Sequence, residues 1–329
     1  MIAKVRLGQH GPEIPALGLG CMGLSGAYGA ADDRQSIATV HAAIDAGMSF
    51  LDTGDYYGMG HNEMLLAQSI AGRRDKVFLS VKFGMLRGAA GPILGFDCRP
   101  AAVKTFLAYS LKRLGTDYID LYQPGRGDPS VPVEDTVGAI KELIEAGYVR
   151  YLGLSEVPIE TVRRAQAVHP VAALQTEYSL ATRGIESRTL PELRSLGVGL
   201  VAYGVLSRGL LSGAVISQAS FAQDDFRKFA PRFQGGNLEA NQRIVARLQQ
   251  LATEAGMTPA QLAIGWVMVK GNDIVTLIGT KTPQRLAEAI AVANRPLAAD
   301  LIAAIEAVVP ADGFRGERYP AAFMANLTQ

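Results

Sequence analysis

The chain has 329 residues, 48% of them hydrophobic and 19% charged, an ordinary globular composition with enough length for a sizeable core. Its 32 basic and 31 acidic residues leave a net charge of +1, which excludes the electrostatic footprint of a nucleic-acid binder and offers no basic block for a membrane surface. Cys21 and Cys98 form neither a metal-ligand spacing nor a disulfide framework, and the first residues carry no apolar leader, so a soluble cytoplasmic protein is expected.

Residues 4–17 hold two short apolar pieces around Gly8–Glu13, which predicts a hairpin. From Leu17 onward short apolar segments alternate with longer amphipathic ones. Strands are predicted near 17–21, 48–52, 77–82, 118–123, 149–154, 172–176, 198–203 and 274–278. Helices are predicted at 33–47, 62–72, 100–114, 133–147, 158–168, 186–196, 238–255 and 282–294, with a further helical run at 259–269. Asp32-Asp33 can cap the first helix, Pro100 opens the third and Gly115 closes it.

Repeated βα units mean a parallel sheet with helical crossovers. Eight of them could close into a barrel or divide into two open sheets. The open form usually carries a Gly-rich phosphate loop at the start of its first helix. Gly18-Leu19-Gly20-Cys21-Met22-Gly23 has that spacing, but the predicted helix starts about ten residues later, which favours the barrel. Two stretches depart from the alternation: a long loop at 206–237 after the seventh strand, and a tail at 309–329. No linker or low-complexity tract interrupts the chain, so one domain spanning 1–329 is expected.

The chemistry gathers at strand ends. Asp52 ends a buried strand, Tyr57 follows in a Gly-rich turn, and Lys82 ends the next strand. A cation beside a phenol lowers its pKa, and a carboxylate holds the cation, so the trio suggests a proton-transfer site. A surface loop beside a strand-end lysine is the plainer reading. Asp52, Lys82, Gln123, Ser155, Gln175, Tyr203 and Gly279 all fall at or just past strand C-termini, where barrel active sites are built.

Gly18–Gly23, Leu51-Asp52-Thr53, Tyr57-Gly58, Asn62-Glu63 and Lys82 together resemble the aldo-keto reductases, over about Leu7 to Leu301. The resemblance implies an α/β fold, the (β/α)8 TIM barrel, and NADPH-dependent reduction of an aldehyde or ketone. It makes Tyr57 the acid that protonates the carbonyl oxygen, with Lys82 and Asp52 behind it. It places a histidine at the end of the fourth strand, where this chain has Gly125 in Gln123-Pro124-Gly125-Arg126. Gln123, Arg126 or a water in the space left by Gly125 would then substitute in part, and the missing side chain would widen the pocket.

For NADP(H), the resemblance assigns Ser155 and Gln175 to the carboxamide, Tyr203 to the nicotinamide ring, and Gly204, Leu206 and Arg208 to the pyrophosphate side. Cys21, Met22 and Asp52 would line the same cleft, and Gly279, Lys281, Arg285 and Glu288 would hold the adenosine end. A helix start with Lys281 and Arg285 suits a 2′-phosphate. The substrate pocket would be lined by residues 23–29 and 85–96, Tyr56 or Tyr57, the 206–237 loop and the tail, with Gly88–Pro92 as a flexible rim. The partner expected is a small carbonyl compound, with no metal, nucleic acid or membrane, on a monomer or weak homo-oligomer. Two rivals stay open: a nicotinamide-binding regulatory protein with little turnover, and a barrel that uses Lys82 as a Schiff-base amine.

Overall fold

The structure is a computed structural model and describes residues 2–89, 91–214, 217, 219, 221, 225–324 and 327. The chain opens with an antiparallel hairpin, β1 (Lys4–Arg6) and β2 (Glu13–Pro15). Eight strands then alternate with helices: β3 (Leu17–Gly20), α1 (Asp33–Asp45), β4 (Phe50–Gly54), α2 (His61–Ile70) and β5 (Phe78–Phe83). A second hairpin follows, β6 (Met85–Arg87) and β7 (Ile93–Phe96), then α3 (Pro100–Leu114), β8 (Ile119–Pro124), α4 (Val133–Glu145), β9 (Val149–Ser155) and α5 (Ile159–Gln166). The chain continues through β10 (Val171–Glu177), α6 (Thr189–Ser195), β11 (Gly199–Tyr203), α7 (Gly235–Glu254), α8 (Pro259–Met268), β12 (Ile274–Ile278), α9 (Pro283–Ala293), α10 (Ala299–Val308) and α11 (Ala321–Met324). Strands β3, β4, β5, β8, β9, β10, β11 and β12 pair in parallel in that order, and β12 closes on β3. The sequence-predicted (β/α)8 barrel is what forms.

The two-residue alternation of a strand divides the core into two. Leu51, Leu79, Val81 and Tyr122 face the helices, and Phe50, Phe78 and Leu121 face the barrel axis. Counting upward in twos from this apolar floor brings Asp52, Ser80, Lys82 and Gln123 onto the inner face. The register sets them side by side: Asp52 opposite Ser80, Lys82 opposite Gln123, and Ser155 opposite Gln175. The floor is stoppered by the first hairpin, whose Val5, Leu7 and Ile14 pack on Phe50, Ala173 and Val201. Gly8, at φ 70°, lies so close to the barrel that a Cβ there would stand 2.6 Å from the Ala172 carbonyl.

The structure adds a hairpin and two helices, α10 and, within the predicted tail, α11, and redraws the long loop. Gly88–Pro92, expected as a flexible rim, is the turn of the β6–β7 hairpin; its Ala90 lies outside the described residues. Helix α10 occupies 299–308, just before the predicted tail. Within 206–237, short 3₁₀ turns occur at 207–212, 226–229 and 231–233, and α7 begins at Gly235; positions 215, 216, 218, 220 and 222–224 lie outside the described residues. Among the described residues no helix is long and apolar enough to cross a membrane.

Candidate active site

Asp52 and Lys82 are 4% and 3% exposed and form an ion pair through Oδ2 and Nζ. The other Asp52 oxygen accepts from Ser80 Oγ at 2.9 Å and from Gln175 Nε2 at 2.8 Å. Every oxygen of this buried carboxylate is therefore matched, as burial requires. Lys82 Nζ lies 5.1 Å from the centroid of the Tyr57 ring.

Tyr57 opens a tight turn in which Gly58, Met59 and Gly60 all take left-handed backbone. The fully buried Asn62 fastens that turn to the barrel. Its Nδ2 donates to the Cys21 carbonyl at 2.9 Å and to Ser25 Oγ at 2.7 Å, and its Oδ1 accepts from Thr53 Oγ1 at 2.6 Å. Tyr56 and Tyr57 meet edge to face with centroids 5.0 Å apart. Among the described residues neither hydroxyl has a hydrogen-bond partner.

Two expectations change here. The space at Gly125 is not empty: a Cβ added there would stand 2.7 Å from the Tyr56 hydroxyl oxygen and 3.0 Å from its ring. Tyr56 fills the volume that the sequence reading gave to a water or a bulky ketone. The Tyr57 phenol is pushed well above its ordinary pKa, chiefly by burial and then by the Asp52 carboxylate. Lys82 shares its charge with Asp52 in the resting site, and Arg126 offsets the rise only in part.

Gln123 is fully buried and gives Nε2 to Ser80 Oγ at 3.0 Å, which links it to Asp52, while among the described residues its Oε1 has no partner. Among the described residues Ser155 Oγ is buried with no partner, next to Gln175 in the register. Tyr203 donates its hydroxyl to Glu156 Oε1 at 2.7 Å. Gly204, at φ 68°, leaves no room for a side chain, since a Cβ would meet Glu177 Cγ at 2.9 Å. Arg208 Nη2 donates to Glu177 at 3.0 Å, while its buried Nη1 has no partner among the described residues.

On the far side, Lys281 gives Nζ to the carbonyls of Tyr28, Gly29 and Ala30 at 2.9, 2.7 and 3.0 Å, so its hydrogens are engaged. Arg285 is exposed at the start of α9, and the Glu288 carboxylate accepts from Thr258 Oγ1. Cys21 is fully buried, Met22 and Leu206 are partly buried, and Gly279 follows β12 directly.

An orphaned hydroxyl beside a carboxamide side chain, and an orphaned guanidinium nitrogen, fit a ligand with an amide at one end and anionic groups further out. Among the described residues no cluster of side chains suits a metal ion.

The sequence reading missed the cluster that walls the mouth. Glu156, with left-handed backbone (φ 55°), is fully buried and accepts both nitrogens of Arg318 at 2.6 and 2.8 Å. Burial alone would raise the Glu156 carboxyl, and the Arg318 guanidinium more than offsets it, so its pKa is lowered. Tyr319 follows, sharing a 2.8 Å hydrogen bond with the Tyr203 hydroxyl. Arg232 joins Arg208 on Glu177, at 3.5 Å. Glu156 follows Ser155 and Glu177 comes two residues after Gln175, each at a buried strand end, and an acid in such a place signals an unseen cationic partner.

The aldo/keto reductase family model matches residues 16–310. The glycerol dehydrogenase AKR11B4 from Gluconobacter oxydans is 27% identical, covering 93% of this chain and 94% of that one, with a TM-score of 0.84. The fold is shared with the holo form of aldo-keto reductase AKR11C1 from Bacillus halodurans, 24% identical over 94% of this chain and 97% of that one, TM-score 0.77. An aldo-keto reductase from Klebsiella pneumoniae in complex with NADPH, 24% identical over the full length of both chains, superposes with a TM-score of 0.74. With the barrel and its strand-end residues in place, the chain belongs to the aldo/keto reductase family.

Proposed function

We propose that the protein is an NADP(H)-dependent reductase of an aldehyde or ketone, with Tyr57 as the proton donor. The observation that carries this reading is the Tyr57 phenol beside the buried Lys82–Asp52 pair at the top of the barrel. The cofactor, when bound, supplies the hydride. Ser155 and Gln175 would hold its carboxamide, Tyr203 would pack against its ring, and Arg208 and Arg285 would answer its phosphates, whereas Lys281, expected there too, spends its hydrogens on the carbonyls of Tyr28, Gly29 and Ala30.

The rest is done by side chains. Tyr57, held neutral by burial, carries the proton that the substrate oxygen needs. Lys82 stands ready to stabilise the phenolate left behind, and Asp52 fixes Lys82. Gln123 acts at one remove, orienting Ser80 and through it Asp52. We read Tyr56 as the second donor to the carbonyl oxygen, taking the place of the histidine that the resemblance puts at position 125. Its free hydroxyl occupies that volume, and its neighbour Tyr57 presents the first donor.

The test is fluorescence titration with NADPH and NADH, then a carbonyl panel followed by NADPH oxidation. Tight NADPH binding with turnover lost in Tyr57→Phe supports the reductase. Tight binding without turnover on any member supports the regulatory reading instead.

A further inference from the structure

The wall of the mouth holds four guanidinium groups and two carboxylates. Arg318 takes both oxygens of Glu156, and Arg208 and Arg232 share Glu177. Arg126 is the one left over: among the described residues no carboxylate lies within ion-pair distance of it. It is partly buried, with Nη1 donating to the Gly125 carbonyl at 2.7 Å and Nη2 to the Tyr319 hydroxyl at 3.4 Å. Its guanidinium carbon stands 5.7 Å from the Tyr319 ring centroid. Among the described residues, two of its five N–H groups have partners. Glu156, though bound to Arg318, favours the charge of Arg126 from further off, but among the described residues no acceptor fills the rest of its fork, which leaves a place for an anionic ligand.

Its position says what that is. The groups proposed to hold the cofactor lie on β9 to β12 and the start of α9. Arg126 lies past the end of β8, one residue from Gly125 and on the side of the two phenols. Its positive charge acts on both Tyr56 and Tyr57. Arg208 stands against the same Tyr319 ring, at 4.7 Å, but it comes from the segment after β11, and among the described residues it has an unpartnered nitrogen for the cofactor's phosphates.

We propose that Arg126 binds the carboxylate of the substrate, so that the carbonyl compound reduced here carries an anionic group: an oxo acid or the semialdehyde of a dicarboxylic acid. The planar fork of a guanidinium matches a carboxylate with two parallel hydrogen bonds, and Nε and the second hydrogens of Nη1 and Nη2 are available for them. Tyr319, already bonded to Arg126, forms the roof of that subsite. This rests on the reductase reading of the same site.

The experiment uses matched pairs that differ only in charge: succinic semialdehyde and its methyl ester, and 4-carboxybenzaldehyde and its methyl ester. The expected result is a kcat/KM at least about ten-fold higher for each acid than for its ester, shrinking as salt is added. In Arg126→Met the acid-to-ester ratio falls to about one or below, chiefly through KM. Arg126→Lys keeps part of the preference, because charge survives and the fork does not. Esters reduced as well as acids by the wild type, or a ratio unchanged in Arg126→Met, would overturn the proposal and leave the reductase intact. If no pair is turned over, the reductase reading fails instead, and calorimetric titration with terephthalate decides the subsite. Binding lost in Arg126→Met sustains it, and no binding to the wild type overturns it.

Discussion

The hydroxyl of Tyr56 stands 2.7 Å from the point where a side chain at Gly125 would begin. The two positions are complementary, one supplying a phenol and the other making room for it. Tyr56→Phe keeps the ring and removes the donor, so kcat should fall about 10²-fold or more, as for loss of an oxyanion donor, while the fold is kept. Gly125→His alone should be overpacked by about 1–3 kcal/mol. The pair Tyr56→Ala with Gly125→His should be more stable and more active than either single variant. Independent, additive losses in that cycle would show that the residues do not share a role.

In the proposed reaction Tyr57 is the acid, so it must be protonated. Its pKa is raised, chiefly by burial, so the protonated form extends above the usual tyrosine range near 10. Rate should therefore be level through neutral pH to about pH 9 and be lost only as pH climbs through the raised value. Single-turnover reduction measured against pH checks this, and Tyr57→Phe should lower the plateau about 10²–10⁴-fold.

Asp52 anchors three neighbours, Lys82, Ser80 and Gln175. Lys82→Met leaves a carboxylate buried without its cation and should cost about 3–5 kcal/mol in urea unfolding. The double variant Asp52→Asn, Lys82→Met should cost less than the sum of the two singles, because it leaves no unpaired charge.

The Glu156–Arg318 pair ties the tail to the barrel. The folded-state pKa of Glu156 is lowered, so the stability it contributes is present above the unfolded carboxyl value, about 4.3, and is lost as pH falls through the lowered value. Arg318→Ala removes the offset, leaving burial to raise the same group. The variant should be destabilised most at neutral pH and should recover relative to wild type on acidification. Unfolding series at pH 7.5 and 4.5 would read this, and a pH-independent difference would count against the pair.

Asp55 has the opposite sign. Burial and the nearby Glu63 push its carboxyl up to about 7, and it is 8% exposed. It therefore destabilises the fold progressively as pH rises from the unfolded value near 3.9 toward 7. Asp55→Asn should raise the unfolding midpoint at pH 8 and leave it nearly unchanged at pH 4.

Much of this was readable in the chain because the barrel strands are short, buried on both faces and bounded by glycines. The same buried strands made polar residues such as Asp52, Lys82 and Gln175 stand out at their ends. The β6–β7 hairpin was not legible, since Leu86, Ile93 and Leu94 are exposed and a Gly-rich turn between them reads as loop. Helix α10 has a single fully buried residue, Ile305, among alanines, so its periodicity carried little contrast. The wall of the mouth was hidden for another reason. Glu156 meets Arg318 across 162 positions of sequence, and no local pattern encodes such a pairing. Likewise, Gly125 announced a missing side chain, but only the folded chain brings Tyr56 into its place.

The β1–β2 hairpin makes the barrel a vessel with a blind end, so everything that reaches Asp52 passes one opening. Ser155 and Gln175 lie deep in it, at 1% and 3% exposure, while Arg126 and Tyr319 stand partly exposed nearer the opening. Two molecules that share one passage must queue. In the proposed reaction the dinucleotide boards first and leaves last, and the carbonyl compound comes and goes above it. Turnover is then compulsory in its order. The alcohol should then inhibit noncompetitively against the carbonyl compound, and the oxidised dinucleotide competitively against the reduced one.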